Sequence, residues 1–228
     1  MSDTACTGKN GTDPARVLIV DDHPAVREAL ALRISSLPDL DVCGEAADLP
    51  TALQLVAEKK PDIAIIDISL KNGDGLDLIK RIRARAADVR MLVWSMHTES
   101  LYAERALRAG AQGYITKEQA TERIVEAIRQ VLAGKVYLSA AMTEMLLRRA
   151  VGDGSGLPGR SPVESLADRE LEVYRLIGKG IKTADVAQQL HLSVKTVETY
   201  RDRIREKLDL SNGTELVRHA ALWLQENG

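Results

Sequence analysis

Acidic, hydroxyl and amine side chains stand at the ends of short apolar runs in this 228-residue chain. Asp21 and Asp22 follow the run RVLIV, and Asp67 follows the run IAII. Ser95 ends the run RMLVWS, and Lys117 comes directly after GYIT. An ionised carboxylate is costly to bury without a partner. We therefore expect these acids in a crevice that a ligand or cation can enter.

This combination of groups predicts phosphoryl chemistry. Three carboxylates held close together raise one another's pKa values, and a divalent cation relieves the repulsion. An all-oxygen ligand set suits Mg²⁺. A carboxylate is a competent phosphoryl acceptor, and Mg²⁺ neutralises the charge that develops on the transferred group. Lys117 and Ser95 supply an ammonium and a hydroxyl that can hold a phosphoryl group.

The elements that must position these groups alternate along the first half of the chain. Each apolar run is followed by a helical pattern, as Val26, Leu30 and Ile34 illustrate after the first run. Five such repeats predict an α/β fold, a doubly wound five-stranded parallel sheet with helices on both faces. The carboxyl ends of parallel strands meet at one edge, so the acids and their partners are expected to converge there.

Four segments are predicted. Residues 1–14 lack the apolar core of a signal peptide and are expected to be a disordered leader. Residues 15–134 form the α/β domain. Residues 135–164 contain a connecting helix and then a linker rich in glycine, proline and serine. Residues 165–228 show no strand pattern and are expected to form a small all-α domain of four helices.

Composition narrows the function classes. A hydrophobic content of 45% supports a globular core, and the core must be aliphatic because there is no phenylalanine. A net charge of −2 argues against a wholly basic nucleic-acid binder, although it leaves room for a local basic surface. Two cysteines make no disulfide framework, and no run of apolar residues is long enough to span a membrane. We expect a cytoplasmic protein with no membrane partner.

The second half contains a helix-turn-helix pattern. The helical segment KTADVAQQL is followed by the break HLS and then by VKTVETYRDRIREKL. Ser193 is a good N-cap for the second of these helices. Val197, Ile204 and Leu208 share one face and can pack on the first helix. In such an arrangement the second helix enters the DNA major groove.

The first half resembles a CheY-like, flavodoxin-like receiver domain in the motifs LIVDDHP, IAIIDISL, GDGLDLI, VWS and GYITK. The resemblance implies that Asp67 is the phosphoacceptor and that a partner histidine kinase supplies the phosphoryl group. It further implies that Mg²⁺ is held by Asp21, Asp22, Asp67 and the backbone carbonyl of Ser69. Ser95, Tyr114 and Lys117 then match the switch hydroxyl, the switch aromatic and the lysine of the family. Lys71 departs from the family pattern, which often has proline there.

The second half resembles a LuxR-type DNA-binding domain, so the whole chain is similar to response regulators of the NarL/FixJ type. The resemblance implies that Glu198, Thr199 and Asp202 face bases. The expected DNA-binding set is Lys182, Lys195, Thr196, Glu198, Thr199, Asp202 and Arg203. Two acidic readers are a departure, since carboxylates accept from cytosine N4 but repel phosphate. From Arg160 onward, eleven lysines and arginines balance eleven acids, so affinity must depend on where the cations point.

The expected function is that of a two-component transcription regulator, not an enzyme, switched by Mg²⁺-dependent phosphorylation of Asp67. Ser95 and Lys117 would then turn toward the phosphoryl group, and Tyr114 would follow inward. The helical domain would be released or paired, and a homodimer would bind two half-sites on double-stranded DNA. RNA polymerase is a further expected partner.

Three alternatives remain open at this stage. A phosphohydrolase that uses Asp67 as nucleophile would need a second acid two residues on, where this chain has Ser69. A constitutive DNA binder would not need the complete acidic set. The output domain could instead bind RNA or protein.

Overall fold

The structure is a computed structural model that describes residues 13–70, 73–96, 98–119, 121–151, 162–190 and 192–227. Nearly all of the predicted leader and most of the predicted linker therefore lie outside the described residues. Within the described ranges, no helix combines the length and the apolar character needed to cross a lipid bilayer.

The first part of the chain is built on a five-stranded parallel sheet. Its strands are β1 (Ala15–Val20), β2 (Leu40–Ala46), β3 (Ile63–Ile66), β6 (Arg90–Ser95) and β7 (Gly113–Thr116), in the order β2-β1-β3-β6-β7. Between β3 and the next helix lies a short antiparallel hairpin of β4 (Ser69–Leu70) and β5 (Gly73–Asp74). The doubly wound fold is thus confirmed. The hairpin was not predicted, because two-residue strands leave no periodic signal.

Five helices surround this sheet, and a sixth follows them. They are α1 (Pro24–Ser35), α2 (Leu49–Lys59), α3 (Gly75–Arg85), α4 (Glu99–Ala109), α5 (Thr121–Leu132) and α6 (Ala140–Val151). Alternate strand residues separate the core into two layers. Val17 and Ile19 pack with α1 and α5 on one face, whereas Leu18 and Val20 pack with α2, α3 and α4 on the other.

The second part of the chain is all-helical, as predicted. A 3₁₀ turn (Pro162–Ser165) precedes α7 (Asp168–Gly178), α8 (Thr183–Gln189), α9 (Val194–Lys207) and α10 (Gly213–Asn227). Tyr174 lies fully buried at its centre, where its hydroxyl is 2.6 Å from His219 Nδ1 and its ring meets Trp223 edge-on. A Cβ at Gly178 would lie 2.6 Å from the backbone oxygen of Ala220, so only glycine lets α7 and α10 approach this closely.

The helical part docks on α3 and α4 of the first part. Arg105 of α4 donates to the backbone oxygens of Glu164 and Leu166 at 3.0 and 2.8 Å, and to Asp168 Oδ1 at 3.0 Å. Lys80 of α3 donates to the other oxygen of Asp168 at 2.7 Å. The Asp168 carboxylate at the start of α7 therefore accepts hydrogen bonds from cationic side chains of two helices. Burial alone would raise the pKa of Asp168, but Lys80 and Arg105 outweigh burial and lower it.

Candidate functional site

The three predicted acids meet at the carboxyl edge of the sheet. Asp21 and Asp22 follow β1, Asp67 follows the adjacent β3, and all three are buried. The backbone fixes their positions, since the amide of Asp67 donates to the Val20 oxygen at 2.8 Å. One ligand atom from each of these acids and one from His23 lie within 4.8 Å of one another.

Lys117 closes this acidic group from the end of β7. Its Nζ lies 2.7 Å from Asp67 Oδ2 and also donates to Asp21 Oδ2, and its side chain is only 6% exposed. Burial alone would lower the pKa of Lys117, but Asp67 and Asp21 outweigh burial and raise it. For Asp67 the balance is opposite, because burial raises its pKa more than Lys117 lowers it. The ammonium thus compensates only part of the cost of burying this carboxylate.

The acidic group fits a hard divalent cation. The Asp22 Oδ1 atom is shielded from solvent, and no donor in the described part of the chain makes a hydrogen bond to it. His23 Nδ1 lies 2.7 Å away, but it is not in hydrogen-bonding geometry with this oxygen. A buried carboxylate oxygen without a donor is costly unless a cation completes its environment. The donor set of Asp21, Asp22 and Asp67 is all oxygen, as Mg²⁺ prefers.

Ser69, the fourth expected ligand, lies on β4 next to this group. Its amide donates to Asp67 Oδ1 at 3.3 Å, which keeps the loop folded over the carboxylate. Behind the loop, a Cβ at Gly75 would lie 2.2 Å from the backbone oxygen of Asp67. Gly75, the second glycine of the GDG motif, is therefore required for close packing of α3 against the loop of Asp67.

Ser95 ends β6, the strand next to that of Asp67, and Tyr114 lies on β7, one strand further along the sheet. Ser95 is fully buried at the end of β6, and side-chain hydrogen bonds connect it with Asp67 and with Tyr114. Tyr114 is 1% exposed, and burial raises its pKa well above the ordinary value. We expected Tyr114 to turn inward after phosphorylation, but in this structure it is already inside. The inward position is thus available before a phosphoryl group is added.

Sequence reasoning missed two neighbours of the acids. His23 lies against both Asp21 and Asp22, at 3.3 and 2.7 Å. Arg27 of α1 donates to the backbone oxygen of Asp21 at 2.6 Å. The signal was present in part, since Pro24 fixes the start of α1 and thereby brings Arg27 one turn above the Asp-Asp pair.

The predicted reading helix is α9. Ser193 caps it by accepting from the Thr196 amide at 3.0 Å. The predicted contact residues Lys195, Glu198, Thr199, Asp202 and Arg203 are exposed, and Thr196 is half-buried. Lys182 precedes α8 and is exposed. The docked first domain therefore leaves the predicted base-reading face of α9 open.

Both acids predicted to read bases, Glu198 and Asp202, have an arginine partner on the same helix. Arg201 Nε lies 3.4 Å from Glu198 Oε2, and Arg205 Nη2 lies 2.5 Å from Asp202 Oδ1. Each pair spans three residues, the spacing at which side chains on a helix face each other. The repulsion that these carboxylates would exert on phosphate is thus reduced within the helix itself.

Comparisons with known proteins agree with the two-part architecture. Residues 17–129 match the family of response regulator receiver domains, and residues 164–220 match the luxR family of bacterial regulatory proteins. The chain is 35% identical over 208 residues to the oxygen regulatory protein NreC of Staphylococcus haemolyticus, covering 90% of this chain and 96% of that protein. It is also 35% identical over 208 residues to the response regulator GacA of Pseudomonas aeruginosa, with the same coverage.

A solved structure shares the overall arrangement. RcsB from Salmonella enterica serovar Typhimurium, bound to the promoter rprA in the presence of the phosphomimetic BeF₃⁻, superposes with a TM-score of 0.62. The two chains are 25% identical, and the match covers 92% of this chain and 99% of RcsB. With the acidic edge, the exposed helix α9 and these similarities together, the chain belongs to the NarL/FixJ-type response regulators, DNA-binding proteins that join a receiver domain to a LuxR-type helix-turn-helix domain.

Proposed function

We propose that this regulator is switched by transfer of a phosphoryl group to Asp67 from a partner histidine kinase. The observation that carries this proposal is the buried group of Asp21, Asp22 and Asp67 closed by Lys117. Asp21, Asp22, Asp67 and the Ser69 carbonyl would hold Mg²⁺, which supplies charge neutralisation on the transferred group.

The chain's own residues perform the remaining steps. An Asp67 carboxylate oxygen forms the new bond to phosphorus, while the phosphorus–nitrogen bond of the donor histidine breaks and its imidazole keeps the electron pair. Lys117, already 2.7 Å from Asp67, offers its ammonium to a phosphoryl oxygen. Ser95 offers its hydroxyl to another. The acceptor thereby gains roughly 1.5 to 2 negative charges, which these two donors are placed to meet.

The output of the switch is DNA binding by the LuxR-type domain. Glu198, Thr199 and Asp202 are proposed to face base edges, while Lys182, Lys195 and Arg203 meet phosphates and Thr196 supports the start of the helix. A homodimer would present two reading helices to two half-sites, as helix-turn-helix dimers do. RNA polymerase is a further proposed partner, to which a regulator bound beside a promoter has access.

The alternative interpretation, that the protein is a phosphohydrolase, is less well supported than regulation by phosphorylation. A phosphohydrolase would need a second acid near Asp67 to activate water or protonate the leaving group. Position 69 is a serine whose amide is directed at Asp67, and the nearby acids already face Lys117 or the expected cation. Sustained release of phosphate from a small substrate would support the phosphohydrolase interpretation.

The test is covalent labelling by a small phosphodonor. The intact mass of the full chain should increase by one phosphoryl group after incubation with acetyl phosphate and Mg²⁺. Asp67→Asn should remain unlabelled, whereas Asp77→Asn, which changes an exposed acid on α3, should label like the wild type. Equal labelling of the Asp67→Asn chain would refute the acceptor assignment.

A further inference from the structure

The output domain reaches the receiver's switch through one arginine. Arg175 of α7 donates from Nη1 to the hydroxyl of Tyr102 at 3.2 Å, and its guanidinium carbon lies 5.6 Å from the centre of that ring. Tyr102 belongs to α4 and is 5% exposed. The hydrogen bond and the cation–π contact, formed between buried Tyr102 and half-buried Arg175, restrict the positions of both side chains.

Tyr102 and Tyr114 share the environment of Arg175. Burial raises the pKa of each tyrosine, and the positive charge of Arg175 partly offsets the rise in both. The two rings also act on each other, since Tyr102 contributes to the raised pKa of Tyr114. Tyr102 and Tyr114 also belong to one cluster of buried core residues, so the contact of Arg175 with Tyr102 connects the output domain to the cluster that contains the switch aromatic.

Tyr114 leads in turn to the acceptor. Ser95 has hydrogen bonds with both Tyr114 and Asp67. An ionised carboxylate can only accept, so Ser95 donates to Asp67 and has a lone pair left for the Tyr114 hydroxyl. After phosphorylation of Asp67, Ser95 must donate in the same direction, to an oxygen of the phosphoryl group. The inward Tyr114 thus holds Ser95 ready for the phosphorylated state.

We infer that Arg175 is a positioning residue for phosphorylation of Asp67, acting from the output domain through Tyr102 and Tyr114. Docking of the output domain supports the arrangement of Ser95 that receives the phosphoryl group. A docked arrangement that stabilises the phosphorylated form is by linkage stabilised by phosphorylation in turn, so at equilibrium phosphorylation strengthens docking rather than releasing the output domain. The open reading face of α9 agrees with this direction, because a docked chain still presents its base-reading residues.

This inference rests on the proposed function, and its test begins from the same labelling reaction on the full chain. Arg175→Ala should lower the rate of phosphorylation by acetyl phosphate by at least about fivefold, the lower end of usual coupling between sites. The loss should appear in the maximal rate, and the acetyl phosphate concentration for half-maximal rate should stay unchanged. Arg175→Lys, which keeps the charge, should recover part of the rate.

Two further variants separate positioning from general damage. Arg108→Ala removes an exposed arginine of α4 that pairs with Glu104, and it should label like the wild type. Tyr102→Phe keeps the ring but removes the hydroxyl that accepts from Arg175. It should slow labelling by itself and add little to Arg175→Ala, because the two residues act through one contact. Thermal unfolding of each variant should verify that the fold is retained.

The outcomes are distinct. A wild-type chain that acetyl phosphate does not label would overturn the proposed function, and this inference with it. If the wild type is labelled and Arg175→Ala is labelled as fast or faster, only the inference on Arg175 fails, and docking is neutral or inhibitory. A loss confined to the half-maximal concentration would also overturn it, since Arg175 would then contact the donor. Additive effects of Arg175→Ala and Tyr102→Phe would remove the proposed route through α4.

Discussion

Lys117 lies 2.7 Å from Asp67, and the pair is buried at 6% and 3% side-chain exposure. The two residues come from β-strand ends that are separated by β6 in the sheet, so only the parallel topology brings them together. The same ammonium also serves Asp21, while Asp22 Oδ1 is left without a donor among the described residues. Asp22 is therefore the carboxylate with the greatest need for a cation.

The first prediction concerns this cation. Asp22→Asn should weaken Mg²⁺ binding by about 10- to 100-fold or more, because a neutral amide replaces an anionic ligand. Trp94, which lies 5.5 Å from the Lys117 ammonium, provides a fluorescence signal next to the site for a Mg²⁺ titration. Asp41→Asn, which changes an exposed acid on β2, is the matched control. Wild-type affinity in Asp22→Asn would show that the cation, if bound, does not use this residue.

The second prediction concerns the pH dependence of stability. Burial, followed by the negative charge of Glu172, raises the pKa of Asp74 from 3.8 to about 6. The fold thus favours the protonated form, and the stability contributed by this group is fully present below about pH 4 and lost as the pH rises through about 6. A shift of roughly two units corresponds to about 3 kcal/mol at most.

Asp74→Asn should consequently be more stable than the wild type near pH 7.5 and should lose less stability between about pH 5 and pH 7.5. Asparagine is an equally good N-cap, so the bond that Asp74 accepts from the Leu76 amide at 2.8 Å can be kept. Urea unfolding at both pH values, with EDTA present, provides the comparison. A variant with the wild-type pH dependence would mean that Asp74 is not the group that titrates.

The third prediction concerns base reading by α9. Glu198→Ala should relax the preference at one base pair by roughly 1–3 kcal/mol of discrimination. It should also strengthen nonspecific binding slightly, because a carboxylate that repels phosphate is removed and Arg201 loses its ion-pair partner. Titration against matched and single-mismatch sites at several salt concentrations measures both effects. Unchanged mismatch ratios would exclude Glu198 as a reader.

The fourth prediction contrasts a phosphate contact with that base contact. Arg203 is exposed on the same helix. Arg203→Ala should weaken binding on all sequences alike and make the salt dependence shallower by about one unit of slope. The same titrations apply. A selective loss on one base pair would instead move Arg203 into the base-reading set.

The fifth prediction concerns docking of the two domains. Asp168→Ala removes the acceptor shared by Lys80 and Arg105, leaving two cations at the interface without their carboxylate. The domains should separate more often, which small-angle scattering detects as a larger radius of gyration. Asp185→Ala, which changes an exposed acid on α8, is the control. An unchanged radius would mean that the backbone contacts of Arg105 with Glu164 and Leu166 are sufficient for docking.

Much of this arrangement follows from the sequence because it depends on local pattern. The strands that end at Asp21, Asp67 and Ser95 could be predicted from their apolar runs. Their convergence followed from the rule that parallel strands end at one edge of the sheet. The helix-turn-helix could be predicted from the Ser193 cap and from the spacing of Val197 and Ile204. These are signals within a single element or its immediate neighbours.

The remaining features depend on contacts between residues far apart in the chain. Nothing near Arg175 in the sequence indicates that it meets Tyr102, 73 positions away. The charge of Glu172 on α7 likewise contributes to the raised pKa of Asp74, and no local pattern encodes the approach of these two residues. The side chain of Tyr114 can point inward or outward, and packing of the whole domain determines which conformation it adopts.

Phosphorylation of Asp67 is proposed to control DNA binding by α9. The most direct test of this proposal is the affinity of the full chain for a DNA fragment selected from its own genome, measured by fluorescence anisotropy in Mg²⁺ with and without acetyl phosphate. The phosphorylated wild type should bind this DNA more tightly, and the affinity of Asp67→Asn should not respond to acetyl phosphate. Equal affinity of the labelled and unlabelled wild type, or the same increase in Asp67→Asn, would contradict the proposal.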